Sequence, residues 1–598
     1  MPRVTILYST AIFLGAFLLF LIEPIAAKRL LPLLGGSSAV WITCLVFFQS
    51  ALLLGYTGAH WLATRIRPRA QSLIYSVLLL AALAQSAFGL NSELRASTFH
   101  PAVSVFVLLG TLIGVPFIVL SSTNPLLQAW YVREIAAARG RYPMPYRLFA
   151  LSNFGSLLAL VLYPWLVEPR FPLHAQSTVW LAGFIVFALA GLSLAWRSRN
   201  GLHHASLSNE TSADPSLAAP ATSARVLWFL LPAAASLLLC AVTNYLSQNI
   251  AAIPLLWILP LTAYLVSFIW AFAGARLYPR RLMQFVLLIV LGAVAFDVSS
   301  GFGFWSKQLT LPIQWAIVLY CSALLLVCFV CHAELYRLRP GPRYATSFYL
   351  SLSAGGALGA ILVGVIAPLV FRGNYELAWG LAAAAVVIFA ATWNLGYLWR
   401  GLWVAGAGLM IVLAVLQMRY IGRDTIAQVR NFYGALRVTQ DMEPPEVVFS
   451  RTLIHGTIQH GKQVFNDELR KTPTTYYAHN SGVGLALDLC CRDKPKRVGV
   501  IGLGTGTLAA YGRPGDVFRF YDINPLVPTL AKNLFTYLRE SAAKTEIVMG
   551  DARLSLAAEP PQNYDVLVID AFSGDAIPVH LITAEAVALY RRHLKPNG

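Results

Sequence analysis

Asp522, Asp551, Asp570 and Asp575 each follow an apolar run of strand type, at 517–521, 546–549 and, for the last two, 564–569. A further run at 498–501 leads directly into Gly502-Leu503-Gly504-Thr505-Gly506-Thr507. Glycines at a strand end let the backbone approach a ligand closely. An acid ~20 residues beyond such a turn accepts hydrogen bonds from both hydroxyls of a ribose, and Asp522 stands there. Carboxylates beside a bound ligand can also orient a nucleophile and take its proton. The pattern predicts a nucleoside site with acids arrayed around it. Asp575 also fits a turn-forming role in Ser573-Gly574-Asp575.

Strands alternating with helical stretches must position these groups. That alternation predicts a parallel sheet, whose ligands bind beyond the carboxyl ends of its strands. A helix is expected from Leu508-Ala509-Ala510, leaving free N–H groups at its start.

The stretch from Arg451 to Gly598 resembles the spermidine synthase family of aminopropyltransferases, a branch of the S-adenosylmethionine-dependent methyltransferase fold. The whole chain is similar to bacterial proteins in which such a domain is fused behind a major-facilitator-like membrane region. Leu453-Ile454-His455-Gly456-Thr457-Ile458-Gln459 looks like the family's L-x-x-D-G-x-x-Q segment, with His455 in place of the acid. Asp467-Glu468 and Tyr476-Tyr477 fall near the family's acidic pair and substrate-side tyrosine, and 581–585 and 594–598 match its closing helix and turn. The resemblance implies that Gln459, Gly502, Gly504, Gly506, Asp522, Asp551 and Ala552 contact the donor. It implies that Tyr476 and Tyr477 meet the acceptor, and that Asp570 and Asp575 are catalytic. The donor implied is decarboxylated S-adenosylmethionine, or S-adenosylmethionine itself, with no metal, and the acceptor a polyamine or other small amine.

Two departures bear on the chemistry. Thr505 stands where the family carries an acid for the aminopropyl amine, and Asp575 follows Asp570 by five residues rather than three. The family reaction is aminopropyl transfer. Methyl transfer, and a polyamine or cation transporter with a nucleoside-sensing pseudoenzyme domain, are the other readings. A homodimer through the soluble domain is a further expectation. Sheets of this type continue with two more strands past Lys595-Pro596-Asn597-Gly598, so an incomplete domain is expected.

Upstream, the composition is that of a membrane protein with a soluble appendage: 598 residues, 57% hydrophobic and 12% charged, mean hydropathy +0.63. Thirteen apolar runs lie near 5–27, 38–63, 72–91, 103–131, 146–167, 177–196, 225–246, 250–274, 282–298, 311–336, 345–371, 375–398 and 401–418, and a crossing helix needs about 20 residues. The fold class expected is a multi-pass α-helical region of about 12–13 helices in a 6+6 pseudo-repeat, followed by an α/β Rossmann-like methyltransferase-fold domain. The boundaries expected are 1–197 and 225–420 for the two membrane halves, 198–224 for a Ser/Ala/Pro-rich linker, 421–450 for a connector and 451–598 for the nucleoside-binding domain. Leu151-Ser152-Asn153-Phe154-Gly155-Ser156-Leu157 recurs as Leu352-Ser353-Ala354-Gly355-Gly356-Ala357-Leu358, which supports the repeat.

Charge supplies an orientation. Of 24 Lys and Arg before residue 401, 18 fall on loops that share a side with the N-terminus and 6 on the other. This puts the N-terminus in the cytoplasm of an inner, plasma-membrane bilayer. The same Lys and Arg explain the net charge of +18 without a nucleic-acid partner. A thirteenth crossing would then carry the soluble domain outside. The expectation is instead a cytoplasmic domain, with 401–417 lying along the interface or re-entering or with another run not crossing; a domain that works outside is the alternative.

Among polar residues within spans, Glu23 suits either a cargo or proton site or a helix-end acid near Lys28 and Arg29. Asn124 and Asn153 are candidates for lining a cavity, whereas Asp297, His332 and Glu334 are expected near the interfaces. Of the seven cysteines, Cys328 and Cys331 have the spacing of a ligand pair but lack a second pair, which argues against zinc, and adjacent Cys490-Cys491 favour a reducing compartment.

Overall fold

The computed structural model describes residues 2–34, 37–90, 100–139, 146–199, 219–249, 255–274, 277–300, 311–443, 448–456, 458–572 and 577–598. Asp575 and most of the 198–224 linker lie outside the described residues. Among those described, eleven helices are long and apolar enough to cross a membrane, and two shorter apolar helices, Ile258–Ala273 and Glu376–Ala391, join them.

In chain order the thirteen helices are Pro2–Leu34, Ser38–Arg65, Pro68–Gly89, Pro101–Arg139, Tyr146–Leu162, Leu173–Arg199, Thr222–Asn249, Ile258–Ala273, Arg280–Ser300, Ile313–Arg337, Ala345–Ile361, Glu376–Ala391 and Tyr397–Ile421. The first packs on the fourth, fifth and sixth; six places later, the seventh packs on the tenth, eleventh and twelfth. The second meets the fourth as the eighth meets the tenth. Across the halves, second meets eleventh and fifth meets eighth. This correspondence is the 6+6 pseudo-repeat in three dimensions. It extends to detail, because the fifth and eleventh helices each continue through a π-helical turn, Tyr163–Val167 and Leu362–Ile366. The recurring small residues explain the approach: a Cβ on Gly155 would lie 2.7 Å from the Phe13 carbonyl, and one on Gly355 2.2 Å from that of Phe229.

The thirteenth helix breaks the symmetry by packing on the ninth and twelfth. It has 25 residues and so a length of about 37 Å, enough to cross hydrocarbon. The stretch 401–417, expected to lie along the interface or re-enter, falls within this single unbroken helix.

A four-stranded antiparallel meander follows, β1 (Thr425–Asn431), β2 (Gly434–Glu443), β3 (Val448–His455) and β4 (Ile458–Phe465). The expectation of a plain connector over 421–450 missed its first two strands. The second sheet is parallel, from β5 (Arg497–Ile501), β6 (Val517–Asp522), β7 (Lys544–Met549) and β8 (Val566–Ile569), in the order β7-β6-β5-β8. Val498, Val500, Phe518 and Phe520 are buried on one face and Ile501 and Tyr521 on the other, as in a sheet covered on both faces. The chain winds one way from β5 to β7 and then returns to the other side of β5. That switch lies between β5 and β8, where such sheets bind ligands.

This domain sits against helix ends remote from the N-terminus. Arg430 of β1 pairs with Glu376 at the start of the twelfth helix, both side chains nearly buried (6% and 4% exposed), and donates to the Gly373 carbonyl at 2.7 Å. Phe432 meets the ring of His100, just before the fourth helix, at 6.0 Å. Leu34 and Ser37, from the turn between the first two helices, share a cleft with residues of the parallel sheet.

Candidate functional site

The turn after β5 is shaped by glycine. Gly502 and Gly504 have φ of +105° and +53°, and a Cβ on Gly502 would lie 2.3 Å from the Asp570 carbonyl across the switch. Any side chain there would push β5 and β8 apart. Gly502 N–H donates to the Tyr521 carbonyl at 2.8 Å, and Leu503 N–H to Asp522 Oδ2 at 3.1 Å. Asn524 N–H donates to the other oxygen of Asp522 at 2.8 Å. Asp522 is thus fixed by two backbone donors, and each oxygen keeps a lone pair for a ligand. No α-helix follows the turn. Thr507–Tyr511 is a single 3-10 segment, stopped by Gly512-Arg513-Pro514-Gly515, so the expected row of helix N-terminal donors is absent there.

Asp551 caps the short helix Ala552–Ala558 through Leu554 N–H at 3.0 Å. Its other oxygen lies 2.7 Å from His580 Nε2. Asp570 accepts a short hydrogen bond from the Tyr477 hydroxyl, and the Tyr476 hydroxyl lies 3.1 Å from that of Tyr477. Tyr477 is buried and Tyr476 half exposed.

Gly502, Gly504, Asp522, Asp551, Ala552 and Asp570 line one cleft of about 960 Å³ that opens to solvent. Four expected site residues do not line it. Gly506 faces Leu538, Tyr476 and Tyr477 stand behind Asp570, and Gln459 is exposed on β4. Gln459 is turned out by an irregularity in the sheet: Thr452 pairs with Lys462 but Ile454 with Gln459, so β4 carries one extra residue where Gly461 takes φ +137°. A one-residue slip exchanges the faces of a strand, and His460 lines the cleft instead, beside His455 at 5.7 Å between rings. Asp467 and Glu468, the expected acidic pair, are fully exposed and exposed. Thr505 is buried and shares a 2.7 Å hydrogen bond with Thr507, so it offers no replacement for the family's acid.

Burial sets the charge of the cleft. It raises Asp522 to about 6 against the lowering pull of its two backbone donors, and raises Asp570 to about 6 against the Tyr477 hydrogen bond. It lowers His455 and His460 to about 4, His455 also through its neighbour His460. At neutral pH Asp522 and Asp570 are therefore ionised and His455 and His460 neutral, and among the described residues no Lys or Arg lines the cleft. Such a site favours a cationic ligand. Among the described residues no cluster of three His, Cys, Asp or Glu is arranged to hold a metal.

Sequence reasoning missed Tyr433, Asn524, His580, Leu34 and Ser37, all of which line the cleft. Asn524 was reachable, being two residues past Asp522 and bonded to Asn431 of β1 at 2.7 Å. Leu34 and Ser37 had no local signal.

A second cavity lies between the membrane halves. Glu23, Gln49, Asn124, Asn153, Ser152 and Ser353 are among its lining, so Asn124 and Asn153 stand where expected. Glu23 is 5% exposed and makes no hydrogen bond or ion pair among the described residues. The cations expected beside it are engaged elsewhere, Lys28 with Glu168 and Arg29 with the Leu90 carbonyl. His332 and Glu334 are buried within the protein, in the last turns of the helix Ile313–Arg337. Glu334 pairs with Arg280 at 2.6 Å and accepts from Tyr278 at 2.9 Å.

No family model matches the chain. Over 110 residues, 18% of this chain, it is 33% identical to the polyamine aminopropyltransferase of Vibrio vulnificus (strain CMCP6), and the match spans 36% of that protein's length. Solved structures similar in fold include the nucleoside transporter NupG, at TM-score 0.38 and 14% identity over 70% of this chain and 98% of that one. The proton:xylose symporter XylE gives TM-score 0.39 and 11% identity over 69% and 98%.

Proposed function

We propose that the C-terminal domain binds an adenosine-type sulfonium and transfers an alkyl group from it to a small amine. The reading carried from the sequence is the aminopropyl group of decarboxylated S-adenosylmethionine passed to a polyamine; methyl transfer from the intact donor is its variant. The observation that carries it is the convergence of Asp522, Asp551 and Asp570 with the Gly502–Gly504 turn in one cleft that no described Lys or Arg lines. The 33% identity to an aminopropyltransferase supports it. In the reaction the amine lone pair forms the new C–N bond, the C–S bond breaks with its electrons to sulfur, and the products are a neutral thioether and an ammonium. Asp570, ionised at neutral pH, orients the amine and takes its proton. Asp575 is the second acid proposed for this step, with Tyr477 holding Asp570 in place.

Thr505 leaves the donor's amine without its usual acid. Calorimetry on the full chain in nanodiscs should therefore give affinities for the decarboxylated and intact donors within about tenfold, a difference of 1.4 kcal/mol. A hundredfold preference for the decarboxylated form overturns that expectation, and binding of neither donor overturns the nucleoside reading.

The site also has a side of the membrane. The domain meets the helix ends opposite the N-terminus, and the 18-to-6 distribution of Lys and Arg favours a cytoplasmic N-terminus. The two together favour an extracytoplasmic cleft, against the earlier expectation of a cytoplasmic one and against the weaker hint from Cys490-Cys491. With those cysteines replaced by serine, an exposed Met442→Cys should react with an impermeant maleimide in intact cells. Labelling only after permeabilisation sinks this orientation.

A second reading rests on Glu23. A buried acid with no partner among the described residues, in a largely apolar cavity that also presents Gln49, Asn124 and Asn153 between two repeated halves, suits passage of a small organic cation. Cargo and cleft ligand would then share a chemistry, both being amines.

A further inference from the structure

Two polar atoms in the wall of the nucleoside cleft have no partner among the described residues. Ser37 Oγ and His460 Nε2 are shielded from solvent and make no hydrogen bond there, although both residues line the cleft. Ser37 precedes the second helix in the N-cap position, with extended backbone (φ −65°, ψ 154°), yet its hydroxyl does not cap that helix. A serine there ordinarily accepts from the backbone N–H two or three residues on. This one instead leaves its hydroxyl unbonded, and an unsatisfied buried polar group costs about 1–3 kcal/mol. His460 faces the cleft from the bulge in β4, on the soluble domain, whereas Ser37 comes with Leu34 from the turn between the first two membrane helices.

We infer that the ligand itself completes these two groups, so that the nucleoside site is composite and its last wall is the membrane region. The inference rests on the nucleoside reading of the cleft. Asp522, Asp551 and Asp570 take the cationic and ribose parts of the ligand. Ser37 and His460 are uncharged and take a neutral polar edge, as the heterocycle of a nucleoside provides. Burial keeps His460 neutral, consistent with that role.

The test uses the full chain in nanodiscs and 5′-methylthioadenosine, the neutral thioether product of aminopropyl transfer, as probe. Ser37→Ala should weaken its binding about tenfold, and Ser37→Thr, which keeps the hydroxyl, should restore it to within a few-fold. Without ligand, Ser37→Ala should melt no lower than the parent, because it removes an unsatisfied group; a purely structural serine would give the opposite pair of results. His460→Gln, which keeps a donor and acceptor near the Nε2 position, should bind better than His460→Leu. If the parent binds the probe and Ser37→Ala binds it equally well, the composite site is overturned while the nucleoside reading stands. If the parent binds neither probe nor donor, both fall together.

Discussion

Replacing Asp570 with asparagine should slow alkyl transfer by about 100- to 10,000-fold, the usual range for loss of a positioned acid–base group, while donor affinity changes by a few-fold at most. The amide keeps the shape and can still meet Tyr477, but it cannot take the proton of the attacking amine. The pH profile should show the same group. Asp570 sits at about 6 because burial disfavours its charge, so kcat/KM for the parent should fall as pH drops through that value. The variant should lose this limb and keep the one set by ionisation of the amine substrate itself. Stability should move the other way. A carboxyl whose folded value lies above its unfolded one, about 3.9, contributes most when protonated, and that contribution is lost as pH rises through 4 to 6. The variant never ionises, so at pH 7 it should be more stable than the parent, by an amount on the order of 2 kcal/mol, and equal to it near pH 3. A variant with unchanged kcat would remove Asp570 from the chemistry.

The second large effect is expected in the membrane region. Glu23→Gln should reduce uptake of labelled putrescine into vesicles by about 30-fold or more, since truncating the charge that faces a desolvated cation costs about 2–5 kcal/mol. The glutamine preserves size and hydrogen bonding, so a fall in uptake reports charge. Wild-type vesicles that take up no diamine would end this reading, and uptake unaffected by the substitution would remove Glu23 from it.

Much of this architecture was written locally. Every apolar run of some twenty residues became a helix, because hydrocarbon leaves a backbone few other ways to satisfy itself. The parallel strands came within two residues of their expected bounds, since 498–501 and 564–569 are apolar runs ended by glycine or acid. What failed was set by contacts distant in sequence. Gln459 and His460 exchanged faces through one extra residue at Gly461, whose conformation is held against Thr505. The meander at 425–443 is too polar to announce itself, and it is organised by Arg430 reaching Glu376 across the junction with the membrane helices. Ser37 reached the cleft only because thirteen helices placed that turn beneath the sheet.

Arg430 and Phe432 sit two residues apart on one hairpin, yet one is anchored to the second membrane half through Glu376 and the other touches the first through His100. Between them Asn431 donates to Asn524, in the turn after β6 and two residues past Asp522. A rocking motion of the halves at this face would therefore tug the hairpin from both sides and tilt the floor beneath the ribose acid. Since such linkage is reciprocal, a nucleoside seated above would act as a latch on the membrane halves, tightest in whichever of their poses grips it best.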